Sequence, residues 1–179
     1  MRKTIRIAAL LLTVLILIFT AACGTAEPES SATPTETAQS SESTTSIANP
    51  WTDYGSIEEA CDAVGFDFTY PEPADAKEST FRAMEGMVEA VYTASSGDTL
   101  MFRKGDLSVL GKENQDISGV NTTYESVQSQ DIDGSVVQFK GCGDEIHLMI
   151  WQSNGFAYAV YSTAAYTLQQ AQYLVVMVE

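Results

Sequence analysis

His147 is the chain's one histidine, so any Ser-His-Asp or Cys-His relay would have to run through it. It stands between Ile146 and Leu148 in an apolar run that reads as a strand, where catalytic side chains are less expected than on loops. A single histidine also argues against a His-rich zinc site. Cys61 falls on an apolar helical stripe, and Cys142 sits in the turn Gly141-Cys142-Gly143-Asp144. In an exported domain such a pair can form a disulfide or stand as two independent thiols, and the sequence leaves both readings open. Ser129-Gln130-Asp131-Ile132-Asp133-Gly134 imitates the first half of a calcium loop. Its first ligand position is Ser129 and the position that needs a bidentate Glu is Lys140, so a hairpin turn is expected there instead. Neither a metal nor another cofactor is implied. Glu58, Glu59 and Asp62 make an acidic helix face, which is ordinarily just solvated.

Trp51, Tyr54, Trp151, Tyr158 and Tyr161 could stack against a ligand, although core packing is the default for such residues. Trp151 faces opposite to Ile150 on its strand. With Ile146, Leu148 and Ile150 supplying one apolar face, Trp151 marks the other as apolar too. Either both faces of the sheet are covered, or one is an exposed binding patch around Trp151.

The third cysteine, Cys23, closes a leader. Arg2, Lys3 and Arg6 form a basic start, Ile7 to Ile18 an apolar run, and Thr20-Ala21-Ala22 a small-residue approach to the thiol. This resembles the bacterial lipobox, with Thr20 in place of the usual Leu. Residues 1–22 are therefore expected to be removed, and Cys23 to carry lipid of the palmitate kind. Two acyl chains, at roughly 0.8 kcal/mol per buried CH₂, make such an anchor stable. The competing reading is a retained helix, but the uncharged run Ile7 to Ala22 is 16 residues, just short of a span. Either way the rest of the chain is expected at the cell membrane, facing outside the cytoplasm.

Residues 24–48 are mostly Ser, Thr, Ala, Glu and Pro, cannot bury enough surface to offset ordering entropy, and read as a disordered tether. Residues 49–179 carry nearly all the aromatic residues and have the size of one domain. The chain's net charge is -15, and without the basic leader 6 basic residues face 24 acidic ones. Such a surface repels nucleic acid and anionic headgroups, and favours cations or basic partners.

Local signals outline the domain. Ser56-Ile57-Glu58-Glu59 fits a capping box, Ile57, Ala60, Cys61 and Val64 recur at helical spacing, and Gly65 ends the helix. Phe66 to Tyr70 alternates like a short strand stopped by Pro71 and Pro73. Phe81 to Thr93 reads as extended, with a break at Gly86, and Thr99 to Lys104 returns. Gly105 to Thr122 is irregular. Tyr124 to Asp131, Ser135 to Lys140, Glu145 to Gln152 and Phe156 to Ser162 are strands separated by turns. Thr167 and Gln170 cap a closing helix whose stripe is Leu168, Ala171, Leu174, Val175 and Val178. The expected fold is α+β: an antiparallel meander of about six strands, with an N-terminal and a C-terminal helix packed on one face.

Asn49-Pro50-Trp51-Thr52-Asp53-Tyr54-Gly55-Ser56-Ile57-Glu58-Glu59-Ala60, then Asp116-Ile117-Ser118-Gly119, Trp151, and Thr167-Leu168-Gln169-Gln170 resemble an uncharacterised Firmicutes extracytoplasmic domain. That family occurs in lipoproteins and in anti-sigma-factor-like and sporulation membrane proteins. It has no established catalytic residues to carry over, and the resemblance implies location, fold and a sensing or binding role. With only six residues before the apolar run, a cytoplasmic domain like that of the anti-sigma members is not expected. The resulting expectation is a non-catalytic ligand-binding or sensing domain. The alternatives are an accessory subunit of an envelope protein complex and, last, a hydrolase.

Overall fold

In the computed structural model, residues 49–113 and 116–179 are described; the leader, Cys23 and the 24–48 segment lie outside them. The chain runs through β1 (Thr52–Tyr54), α1 (Ile57–Val64), β2 (Ala76–Met84), β3 (Met87–Ala94), β4 (Thr99–Asp106) and the short α2 (Leu107–Leu110). It continues through β5 (Ser126–Ile132), β6 (Ser135–Cys142), β7 (Glu145–Ser153), β8 (Phe156–Tyr166) and α3 (Leu168–Val176). The strands form one open antiparallel sheet of eight, in the order β1-β2-β3-β4-β8-β7-β6-β5.

Eight strands correct the expected six, and the sheet is two four-stranded meanders joined where β4 pairs with β8. Phe81 to Thr93 breaks at Gly86 as expected, and the break is a full reversal: the segment is the β2–β3 hairpin, turned at Glu85-Gly86. Phe66 to Tyr70 is not a strand: followed by Pro71 and Pro73, it joins no ladder. Thr69 and Glu179 instead exchange reciprocal backbone hydrogen bonds of 2.9 Å. Asp133-Gly134 and Asn154-Gly155 are turns with positive φ at both residues, as a two-residue hairpin of right-twisted strands requires. The calcium-like segment is thus β5 and its turn, with Asp131 Oδ1 accepting from the Gly134 amide at 3.0 Å.

α1 and α3, the two expected helices, pack on the same face. Ile57, Ala60 and Cys61 of α1 and Ala171, Val175 and Val178 at α3 share one core with Val88, Phe102, Phe139, Met149 and Val160 of the sheet. The caps match the sequence. Thr167 and Gln170 form a reciprocal capping box, worth about 1 kcal/mol for the cap alone. Ser56 accepts from the Glu59 amide, while the Glu59 carboxylate reaches one residue further back, to the Gly55 amide at 2.9 Å.

The opposite face is covered by the β4–β5 connection. Leu107 and Ile117 pack there on Met87, Leu148, Ile150, Ala157 and Ala159, with Leu110, Val120 and Tyr124 at the margin. This stretch, expected as irregular, opens with the single turn α2. Ile146 departs from the expected alternation. A register shift between Ile146 and Leu148 turns it to the helix face, away from Leu148 and Ile150. Gly141 lies opposite this bulge, and any Cβ there would fall on the Glu145 carbonyl oxygen.

Candidate functional site

Trp151 is buried, at 5% exposure, on the helix-covered face, not on an open patch. Its register partner on β8 is Tyr158, and the two rings stack at 5.0 Å with 7° between planes. Tyr158 in turn pairs with Lys104 on β4. Three adjacent strands thus place a cation and two aromatic side chains in one row.

Lys104 is 8% exposed, and its Nζ donates to the Asp67 carbonyl at 2.8 Å. Its Nζ lies 4.5 Å from the ring centre of Phe156, 5.6 Å from Tyr158 and 5.8 Å from Phe66. Burial pulls its pKa below the ordinary 10.5, against the opposing pull of Cys61, Asp67 and Glu179. An ammonium has three protons to donate, and the three rings offer only faces.

Beside this row opens a cleft of about 460 Å³. Ile132, Trp151, Phe156, Val175, Val176 and Val178 give it apolar walls. Lys104, Asp133, Ser135, Ser153, Asn154 and Glu179 supply polar groups. The β5–β6 and β7–β8 hairpins frame it on one side and the end of α3 on the other. It combines an apolar pocket with a few convergent polar groups, the usual anatomy of a small-molecule site.

The loop-covered face holds a second buried charge cluster. Arg82, Glu89 and Arg103 stand side by side on β2, β3 and β4. Glu89 is fully buried, and its two carboxylate oxygens receive the Nε donors of Arg82 and Arg103. Both guanidinium groups lie 5.1 Å from the ring centre of Trp51. Arg103 also donates to the Ile117 carbonyl at 2.8 Å. Asp116 accepts from the Ser118 hydroxyl, the Ser118 amide and Lys140, the last at 2.9 Å. Burial pushes the Asp116 pKa up, but these donors together hold it below the ordinary 3.8. Asp116-Ile117-Ser118-Gly119, one of the stretches that carries the resemblance, is therefore a clasp that ties the long connection to the sheet.

The other sequence candidates scatter. His147 sits at the β7 bulge, with Nδ1 3.0 Å from the Ser162 carbonyl, and does not line the cleft. Cys61 and Cys142 are free thiols and the structure does not bring them together. Cys61 lies on α1, which packs on β2 and β3, whereas Cys142 ends β6, four strand spacings from β3 or roughly 19 Å. A bridge needs Cα atoms within about 7 Å, so the disulfide expectation gives way to independent thiols. Burial pushes the Cys61 thiol up, and a hydrogen bond to the Glu125 carboxylate pushes Cys142 up, so neither is a ready nucleophile. Tyr54 packs against the helix-side core, Tyr161 against the other. Cys23 lies outside the described residues.

Sequence reasoning passed over Lys104, Arg82, Glu89 and Arg103. A lone Glu in the apolar run Met87-Val88-Glu89-Ala90-Val91, flanked by strands that carry Arg82 and Arg103, was the available signal. Of the six basic residues in 49–179, Arg82, Arg103, Lys104 and Lys140 are engaged in these contacts, leaving Lys77 and Lys112 exposed on an otherwise acidic surface. Among the described residues no helix is long and apolar enough to cross a membrane. No family model matches the chain, and neither the curated proteins nor the solved structures contain a match to it.

Proposed function

We propose that this chain is a lipoprotein, anchored in the cell membrane through Cys23 and facing outside the cytoplasm, whose 49–179 domain is a non-catalytic binding or sensing module. The leader grammar and the resemblance to the extracytoplasmic domain support the location. The ligand site is the cleft beside Trp151. One observation carries this reading: a desolvated lysine, met by a neutral carbonyl and ring faces, opens into an apolar-walled cleft. Asp67 and Glu179 favour the Lys104 charge from a distance, but its Nζ bond goes to a carbonyl, and a ligand carboxylate there would add a direct ion pair. Asp133 and Glu179 at the same cleft favour a cationic or donor group on the other end of the ligand. The matching class is an amino acid or short peptide with an apolar side chain.

Among the residues that line the cleft, no imidazole stands beside the Ser135, Ser153 or Tyr158 hydroxyls, so no histidine-activated hydroxyl supports the hydrolase alternative. The accessory-subunit reading draws on the acidic exterior.

The test is a titration of the protein with phenylalanine, phenylalaninamide and N-acetylphenylalanine, followed by Trp151 indole shifts in NMR spectra. The zwitterion binds best, each blocked form binds at least about fivefold more weakly, and Lys104→Met abolishes the difference between free acid and amide. Equal binding of all three, or none at millimolar concentration, rejects the ligand class. For the anchor, Cys23→Ala releases the protein from the membrane fraction and ends incorporation of labelled fatty acid; an unchanged label rejects Cys23 as the attachment point.

A further inference from the structure

The two ends of the sheet are finished differently. At one end β1 is only three residues long, α1 packs beside it, and the part of β2 it leaves unpaired carries Lys77 and Glu78. At the other end β5 runs seven residues in unbroken register with β6, and among the described residues nothing pairs with its outer edge. A protected edge carries a proline, an inward lysine or a bulge; the sequence Ser126-Val127-Gln128-Ser129-Gln130-Asp131-Ile132 has none. Every second residue of such a strand turns its amide and carbonyl outward, unsatisfied by the sheet.

The surroundings state what would fit. The long connection covers the loop-side face over its centre but leaves Val127 and Val136 exposed, at 60% and 64%. Glu125, Asp144 and Glu145 stand exposed at one end of β5, and Asp131 and Asp133 at the other. Lys140, the nearest basic residue on that face, is spent on Asp116. The chain's own 24–48 segment carries four glutamates and no basic residue, so its charge opposes docking here.

We propose that the β5 edge receives an extended, basic segment of a partner protein as an additional antiparallel strand. Backbone hydrogen bonds supply the pairing, alternate apolar side chains of the segment lie on Val127 and Val136, and its cationic side chains meet the carboxylates at both ends. This surface meets the rim of the Trp151 cleft at Ile132 and Asp133 but does not depend on a ligand there.

The experiment uses the full chain in detergent and a fluorescent peptide of alternating Lys and Val. Anisotropy should show saturable binding, and hydrogen exchange should slow within residues 126–132. An alternating Glu and Val peptide should not bind. A Lys and Val peptide with central prolines, which keeps its charge but cannot pair, should bind at least tenfold more weakly. Val127→Lys and Ser129→Lys, both at exposed positions, should each weaken binding at least fivefold. Undiminished binding of the proline peptide, protection outside residues 126–132, or tighter binding of a 24–48 peptide than of the basic one overturns the proposal. The exchange map reads the wild-type chain, so the outcome does not hang on either variant folding.

Discussion

On the loop-covered face Glu89 meets two guanidinium groups, which in turn meet Trp51 and the Ile117 carbonyl. On the helix-covered face Lys104 meets one carbonyl, three rings and an open cleft. The two clusters occupy neighbouring positions: Arg103 and Lys104 are consecutive on β4 and point to opposite faces. A buried charge is costly unless it is paired and hydrogen-bonded. The Glu89 cluster meets that condition inside the chain, so it serves as a brace and has no reason to bind anything else. The Lys104 cluster meets it only in part, and the remainder is what a ligand can supply. Completeness of internal partners, more than burial itself, separates the two.

Breaking the brace should have the largest effect. Glu89→Gln leaves Arg82 and Arg103 without a carboxylate, and is expected to cost about 3–5 kcal/mol in urea unfolding. A loss under about 1 kcal/mol would mean the arginines relax to solvent and the cluster is no brace. The clasp comes next. Gly119 has φ of 67°, and a Cβ there would lie 2.8 Å from Arg103 Nη1. Gly119→Ala should therefore cost about 1–3 kcal/mol and loosen the whole β4–β5 connection in hydrogen exchange.

Lys104→Met inverts the sign. Removing an incompletely partnered charge should raise stability at neutral pH by about 1 kcal/mol, while ligand binding is lost. Because the folded pKa is depressed, the unfolded chain holds the extra proton between that value and 10.5, so wild-type stability rises with pH across that window. The advantage of the Met variant should shrink accordingly as pH rises, which paired unfolding curves would show. The smallest effect belongs to Asp116. Its depressed pKa contributes stability that is whole above about pH 3.8 and lost as pH falls through the lower folded value. Thermal melts of wild type and Asp116→Asn should therefore differ at neutral pH and converge in acid.

The caps and turns of this fold were legible because their chemistry is local: Thr167 with Gln170, Ser56 with Glu59, Asp133-Gly134 and Asn154-Gly155. Both outer helices and the antiparallel class followed from them. The strand order was not legible, because nothing in the β4–β5 connection announces that it crosses to the far edge and brings β8 against β4. Trp151 was singled out, but its surroundings stayed open between a covered face and an exposed patch, and the covered face is what the fold builds. Alternation put it opposite Ile150 correctly, but which face the helices cover is settled by long-range packing. Lys104 was missed for a related reason. The pair Arg103-Lys104 reads as two solvated charges until the sheet assigns one to each core.

The most direct test follows the Lys104 ammonium itself, by NMR of its labelled side chain during a pH titration, with and without phenylalanine. The free protein should titrate below 10.5, and bound carboxylate should move that value upward by favouring the charged form. A lysine that titrates at or above 10.5 and does not respond to the ligand would show that its charge is already satisfied, and the contrast between the two faces would fail.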